Sequence, residues 1–353
     1  MPALLGLALA VGCTAAQPED APLAPDRPPP SSRSGGLPDT CTTTVSDPAR
    51  AATTLARMLP GETVCFTGDR FGDLVVEMTS SGTPDKPITL VSDGATVRSI
   101  GVDADHVTVD GFTFADGDGL NLRGDGIVAR NNTVRNASND GIVCADCADA
   151  TLESNTVWRA DGTGIVIDGE NSMVRGNTVR ESVMHEEGDA DGIRFFGTGL
   201  RIIDNTIRDI TTAAYPEREA PHTDCFQTYD TRDSRPTFDV VIAGNRCENV
   251  DVQCLIATSN ETRTTQIPPG VASILFEGNT CAVNGSQGVL PEYFPDVVVR
   301  NNRFSGPHYR GVLLTRGSIN GTVMGNTMEE AIPPFEVDEE SRPGFHAEGN
   351  TSR

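Results

Sequence analysis

Residues 131–167 read "NNTVRNASNDGIVCADCADATLESNTVWRADGTGIVI", and the same pattern occurs in them twice. Asn-Thr-Val stands at 132–134 and again at 155–157. Gly-Ile-Val stands at 141–143 and again at 164–166. The Asn recurs down the chain at Asn132, Asn155, Asn177, Asn205, Asn245, Asn279, Asn302 and Asn326, with spacings of 23, 22, 28, 40, 34, 23 and 24. A repeat of this length marks a stacked architecture. Three steps in the middle of the series are enlarged. The second column, a small residue followed by an alternating apolar run, returns as "DGIRF" at 191–195, "DCFQT" at 224–228, "QCLIA" at 253–257 and "RGVLL" at 310–314. A third short strand precedes each Asn.

Two or three short strands per step, with Asn or Gly at each bend, define one coil of a solenoid whose coils satisfy one another's backbone groups. A leucine-rich repeat has a similar period, but its Leu-x-x-Leu-x-Leu frame is absent. Asn suits the bends because it tolerates left-handed turns and can bond along a stack. The expected fold is all-β: a single-stranded right-handed parallel β-helix of about 10 coils. Sparse aromatics, 36 Gly and evenly scattered Val, Ile and Thr agree with this.

The opening of the globular part, "DPARAATTLARMLPGETVCF", predicts a short helix followed by the first strand. Together with the repeats this resembles secreted β-helix proteins of the pectate-lyase-like superfamily, over roughly residues 41–330. The resemblance implies that the helix caps the open end of the core. It brings no catalytic residue with it, because the family's catalytic motifs are not matched.

The first 13 residues, "MPALLGLALAVGC", form an apolar run of signal-peptide length, too short to span a bilayer. Its end resembles a bacterial lipobox, which implies lipidation of Cys13 and a cell-envelope lipoprotein. The alternative is an ordinary secretory signal and a secreted protein. Residues 14–40 are rich in Pro, Ser and Asp and read as a disordered tether. Residues 41–353 form the β-helix domain. The only expected membrane attachment is the lipid anchor, and the domain is expected to be a monomer.

Twenty-seven Lys and Arg stand against 50 Asp and Glu, for a formal charge of -23, and Lys86 is the only lysine. This balance excludes nucleic acid as a partner, since phosphate binding needs clustered cations. Of nine Cys, Cys13 belongs to the export segment. The remaining eight suit an oxidising compartment. Column positions pair Cys225 with Cys254 and Cys247 with Cys281, because stacked coils lie about 4.8 Å apart. Cys41 pairs with Cys65 across the helix, and Cys144 with Cys147.

The enlarged steps place insertions at 184–190, 213–222 and 259–268, which predicts loops over adjacent coils, where sites are usually built. Ile142, Ile165, Ile193, Phe226, Leu255, Val289 and Val312 form an inward ladder. Alternation then turns Arg194 and Gln227 outward beside each other, with Asp168, Phe196, Tyr229 and Glu292 two positions on. A guanidinium, an amide and two rings on one floor suit a polysaccharide. The candidate catalytic residues are His222, Arg194, Gln227, Tyr229 and Asp224, with Asp224 also reading as a turn residue. Phe196, Asp168 and Glu292 are candidate substrate contacts. Glu187, Asp189 and Asp191 are candidate ligands for Ca²⁺.

The leading functional expectation is a lyase on a uronate-containing glycan. The alternatives are a hydrolase or epimerase in the same groove, with Glu187, Asp189, Asp191 and Asp224 as carboxylates, or a non-catalytic glycan-binding or structural surface protein.

Overall fold

The structure is a computed structural model; it describes residues 36–185, 188–216, 218–230, 235–259, 267–285, 287–329 and 331–353. The export segment, Cys13 and most of the tether lie outside the described residues. The chain winds into a right-handed parallel β-helix with three walls. Among the described residues one wall stacks thirteen strands, from Thr43–Val45 to His346–Glu348. The solenoid therefore has about twelve turns rather than about ten. The additional coils stand at the two ends: Thr43–Val45, Thr63–Phe66 and Ile88–Ser92 precede the first Asn of the repeat, and the last coil ends beyond Asn326.

Helix α1, Pro48–Leu55, is fixed by local chemistry. Asp47 caps it by accepting from the Arg50 N–H at 2.9 Å, and Pro48 supplies a preset φ in the first turn. Ala51 and Leu55 are its buried residues. The Cys41–Cys65 disulfide ties the preceding segment to the strand Thr63–Phe66.

Inside the solenoid the expected ladder holds in register: Ile142 pairs with Ile165, Ile165 with Ile193, Ile193 with Phe226, Phe226 with Leu255, Leu255 with Val289 and Val289 with Val312. The Asn column is a buried hydrogen-bonded chain. Asn205 donates Nδ2 to Val174 O at 2.9 Å and to Asn245 Oδ1 at 3.0 Å, while its own Oδ1 accepts from the backbone N–H and Nδ2 of Asn177. The left-handed backbone is taken by the residue before each Asn, as at Ser154 (φ 54°) and Asp204 (φ 55°), rather than by the Asn itself. The ladder continues to Asn350, which accepts from the Asn326 N–H at 3.0 Å.

The cysteines correct the column reading. Cys144–Cys147 forms as expected, but Cys225 pairs with Cys247, and Cys254 with Cys281. In-register residues of neighbouring coils project their side chains in parallel, so Cys247 and Cys281, though paired in register, do not point at one another. The small-residue column instead faces the apolar column of its own coil across the interior. A Cβ on Gly141 would approach Val157 Cγ1 to 2.4 Å, and one on Gly192 would approach Ile207 Cγ2 to 2.6 Å. In the next two coils this small–large pair is replaced by Cys225–Cys247 and Cys254–Cys281, with Cα separations of 6.2 and 5.8 Å.

Candidate functional site

Strands Ile193–Thr198 and Asp224–Tyr229 lie side by side with Arg194 in register with Gln227. Alternation turns both outward, away from the Ile193–Phe226 ladder. Phe196 meets Tyr229 edge to face at 5.1 Å, and the Arg194 guanidinium lies 5.6 Å from the Tyr229 ring centre. The structure thus brings Arg194, Gln227, Phe196 and Tyr229 onto one floor.

The carboxylates beneath them have two jobs at once. Asp191 and Asp224 are fully buried. One oxygen of each holds the stack: Asp191 Oδ1 accepts from the Asp224 N–H at 2.9 Å, and Asp224 Oδ1 from the Gln253 N–H at 3.0 Å. The other oxygen faces a cation. Asp191 Oδ2 accepts from Arg194 at 2.7 Å, and Asp224 Oδ2 lies 2.8 Å from His222 Nδ1. Asp224 is therefore not the turn residue that its column suggested: it opens the strand Asp224–Tyr229, and its carboxyl serves both the stack and the histidine.

This arrangement sets the protonation states. Hydrogen bonding to Asp224 lifts the His222 imidazole to about 9, so the ring is a cation at neutral pH. Burial, reinforced by repulsion from Asp224, pushes Asp191 up to about 8 against the pull of Arg194. Burial also raises Asp224, with His222 opposing it, and raises Asp140 one side along the stack.

Asp189 accepts from Arg194 at 3.3 Å and from Gln227 Nε2 at 3.2 Å. The Arg194 guanidinium thus stands between Asp189 and Asp191, two of the groups expected to hold Ca²⁺, where a cation would have to displace it. Glu187 lies outside the described residues. Among the described residues no group of three or more His, Cys, Asp or Glu is arranged to hold a metal.

Asp168 faces Arg235 rather than the Arg194 cluster. Arg235 Nε is 3.5 Å from Asp168, and the same guanidinium donates to Asp146 and Glu170 at 3.1 Å each. Burial raises the Asp168 carboxyl, with Arg235 opposing. Glu292 lies farther along the stack, in register with Thr258, with its nearest cation Arg316 at 3.7 Å. It is not part of the central cluster.

Sequence reasoning passed over Asp161 and His185. His185 Nδ1 lies 2.9 Å from Asp161 Oδ2, and its backbone N–H donates to Asp161 Oδ1 at 2.9 Å. Both residues line a cleft of about 490 Å³ together with Asp140, Asp189 and Arg194. The available signal was a histidine opening the first insertion, one coil after an Asp.

The family described as NosD, periplasmic copper-binding protein, matches residues 97–220. The described residues do not fit a copper centre: the eight described cysteines are all in disulfides, and the histidines do not cluster. No curated protein matches the sequence. Among solved structures the chain is similar to a double mutant of the tailspike protein of E. coli bacteriophage HK620, with 9% identity over 84% of this chain and 59% of that one and a TM-score of 0.56. It is also similar to the GH136 lacto-N-biosidase from Eubacterium ramulus, with 12% identity over 83% of this chain and 62% of that one and a TM-score of 0.53. The chain thus spans about three fifths of the length of both. At these identities the likeness is one of fold.

Proposed function

We propose that the chain is an extracytoplasmic, polysaccharide-active β-helix protein that cleaves a uronate-containing glycan by β-elimination. The observation that carries this reading is the His222–Asp224 pair beside Gln227 and Tyr229, one coil from Arg194. Elimination needs the uronate carboxylate neutralised and a proton delivered to the leaving oxygen. The His222 imidazolium, held through Nδ1 by Asp224, supplies that proton. Arg194 and the Gln227 amide receive the carboxylate, and Phe196 and Tyr229 offer ring surface to the sugars. The lacto-N-biosidase, by its name a glycan-cleaving enzyme on the same fold, supports a polysaccharide as substrate.

Hydrolysis fits less well. It needs two carboxylates flanking the scissile bond in an open groove. Asp191 and Asp224 are buried, and each has one oxygen on a backbone N–H and the other facing a cation.

The disulfides and the match to a periplasmic family support placement outside the cytoplasm. In this reading residues 1–13 direct export, Cys13 carries a lipid anchor, and residues 14–40 tether the solenoid to the envelope. The test is a screen of purified protein on uronate polymers, read as the absorbance of the unsaturated product, with and without a chelator. Product formation that survives the chelator is expected. Saturated reducing ends without that absorbance would replace elimination with hydrolysis.

A further inference from the structure

Elimination also needs a base for the C5 proton, and neither His222 nor Lys86 is placed to supply it. His222 is a cation. The only lysine, Lys86, sits in a turn near the start of the solenoid, where it bonds Thr83.

We propose that His185, held by Asp161, is the general base of the groove; the assignment rests on the lyase reading above. Both oxygens of one carboxylate grip this residue, one on the backbone N–H and one on Nδ1, each at 2.9 Å. The Asp161 side is fixed in turn, because its N–H bonds Ala137 O at 3.0 Å and the residue bridges Val183. The other side is fixed by Met184, whose N–H donates to the Tyr215 hydroxyl at 2.9 Å. The backbone at the start of the insertion is thus pinned from two directions.

The imidazole itself is 69% exposed, so this contact adds little to stability. What the grip accomplishes is orientation. With Nδ1 on Asp161, Nε2 points away from that carboxylate, and the ring borders the cleft that it shares with Asp140, Asp189 and Arg194. Asp189 is bridged in register to His222 on the next coil. Asp161 is bridged to Val183, so it lies one coil before the segment that carries His185 and Asp189, and His222 lies one coil after it.

The step balances with these groups alone. Unprotonated His185 Nε2 takes the C5 proton, and the C–H electron pair becomes the C4=C5 double bond. The C4–O bond breaks with its pair on the leaving oxygen, which takes a proton from His222. One imidazole gains a proton and the other loses one; nothing is oxidised or reduced.

The experiment compares the full chain with His185→Ala and Asp161→Asn on the uronate polymer that the wild type cleaves, with kcat and KM measured separately across pH. His185→Ala is expected to lose at least about 100-fold in kcat with KM little changed. Added imidazole is expected to restore part of the rate, and Asp161→Asn to fall between the two. An unchanged kcat in His185→Ala overturns the assignment, as does a loss confined to KM, which would make His185 a binding residue. A wild type that yields no unsaturated product overturns the lyase reading and the base together.

Discussion

Nδ1 of His222 lies 2.8 Å from Oδ2 of Asp224, while the other oxygen of Asp224 holds the backbone N–H of Gln253 on the next coil. One buried carboxylate therefore joins the stack to the site. The solenoid rigidly sets the orientation of the imidazole, because moving Asp224 would break the coil-to-coil contact.

That relationship predicts how stability depends on pH. The folded His222 titrates near 9 against an ordinary value of 6.5, so folding favours its protonated form. The corresponding stabilisation is complete below pH 6.5 and is lost as pH rises towards 9. His222→Gln should flatten this part of the curve in urea unfolding measured at several pH values. An unchanged slope would mean that the pair is not ionic in the folded state.

Asp191 is an acid rather than a base, but its linkage has the same sign. Its carboxyl is raised from 3.8 to about 8, so the folded state binds its proton more tightly than the unfolded one. The contribution is complete below about pH 4 and is lost as pH rises through 8. Asp191→Asn should remove the slope between those limits while weakening the hold on Arg194. The readout is the unfolding midpoint across that window.

The disulfide correction can be checked directly. Peptide mapping without reduction should recover Cys225 linked to Cys247 and Cys254 linked to Cys281. Replacing Cys225 and Cys247 together by Ala should cost about 3 kcal/mol, as expected for closing a loop of this size. The pair Cys225→Gly with Cys247→Val, which copies the other coils, should lose less than the Ala pair.

The Asn ladder is expected to be costly to interrupt. Asn205→Ala removes the acceptor of the buried Asn177 N–H and Nδ2, and the donor to Val174 O and Asn245 Oδ1. Leaving such groups unpaired costs about 3 kcal/mol or more in total. Denaturant unfolding should show this as a lower midpoint at unchanged m-value.

Much of the fold is legible in the sequence, for physical reasons. Strict alternation fixes the ladder from Ile142 to Val312, and it alone places Arg194 beside Gln227 and Phe196 beside Tyr229. The disulfides are misread from columns because column position says which residues are neighbours, but not which side chains converge. The pairing of Gly141 with Val157, and of Gly192 with Ile207, holds that information in the form of residue sizes. His185 and Asp161 stay hidden because their contact depends on how an insertion folds back, and no period governs that. Asp224 reads as a turn residue but opens a strand, and the repeat says nothing of its second oxygen.

The most direct test of the central claim is the rate of unsaturated product formation by the wild type and by the double variant His222→Gln/Gln227→Ala on a uronate polysaccharide. The account predicts product from the wild type and a loss of at least about 100-fold in the variant, with the wild-type β-sheet circular dichroism and a cooperative melting transition retained. No product from the wild type on any such polymer, or a variant as fast as the wild type, would contradict it.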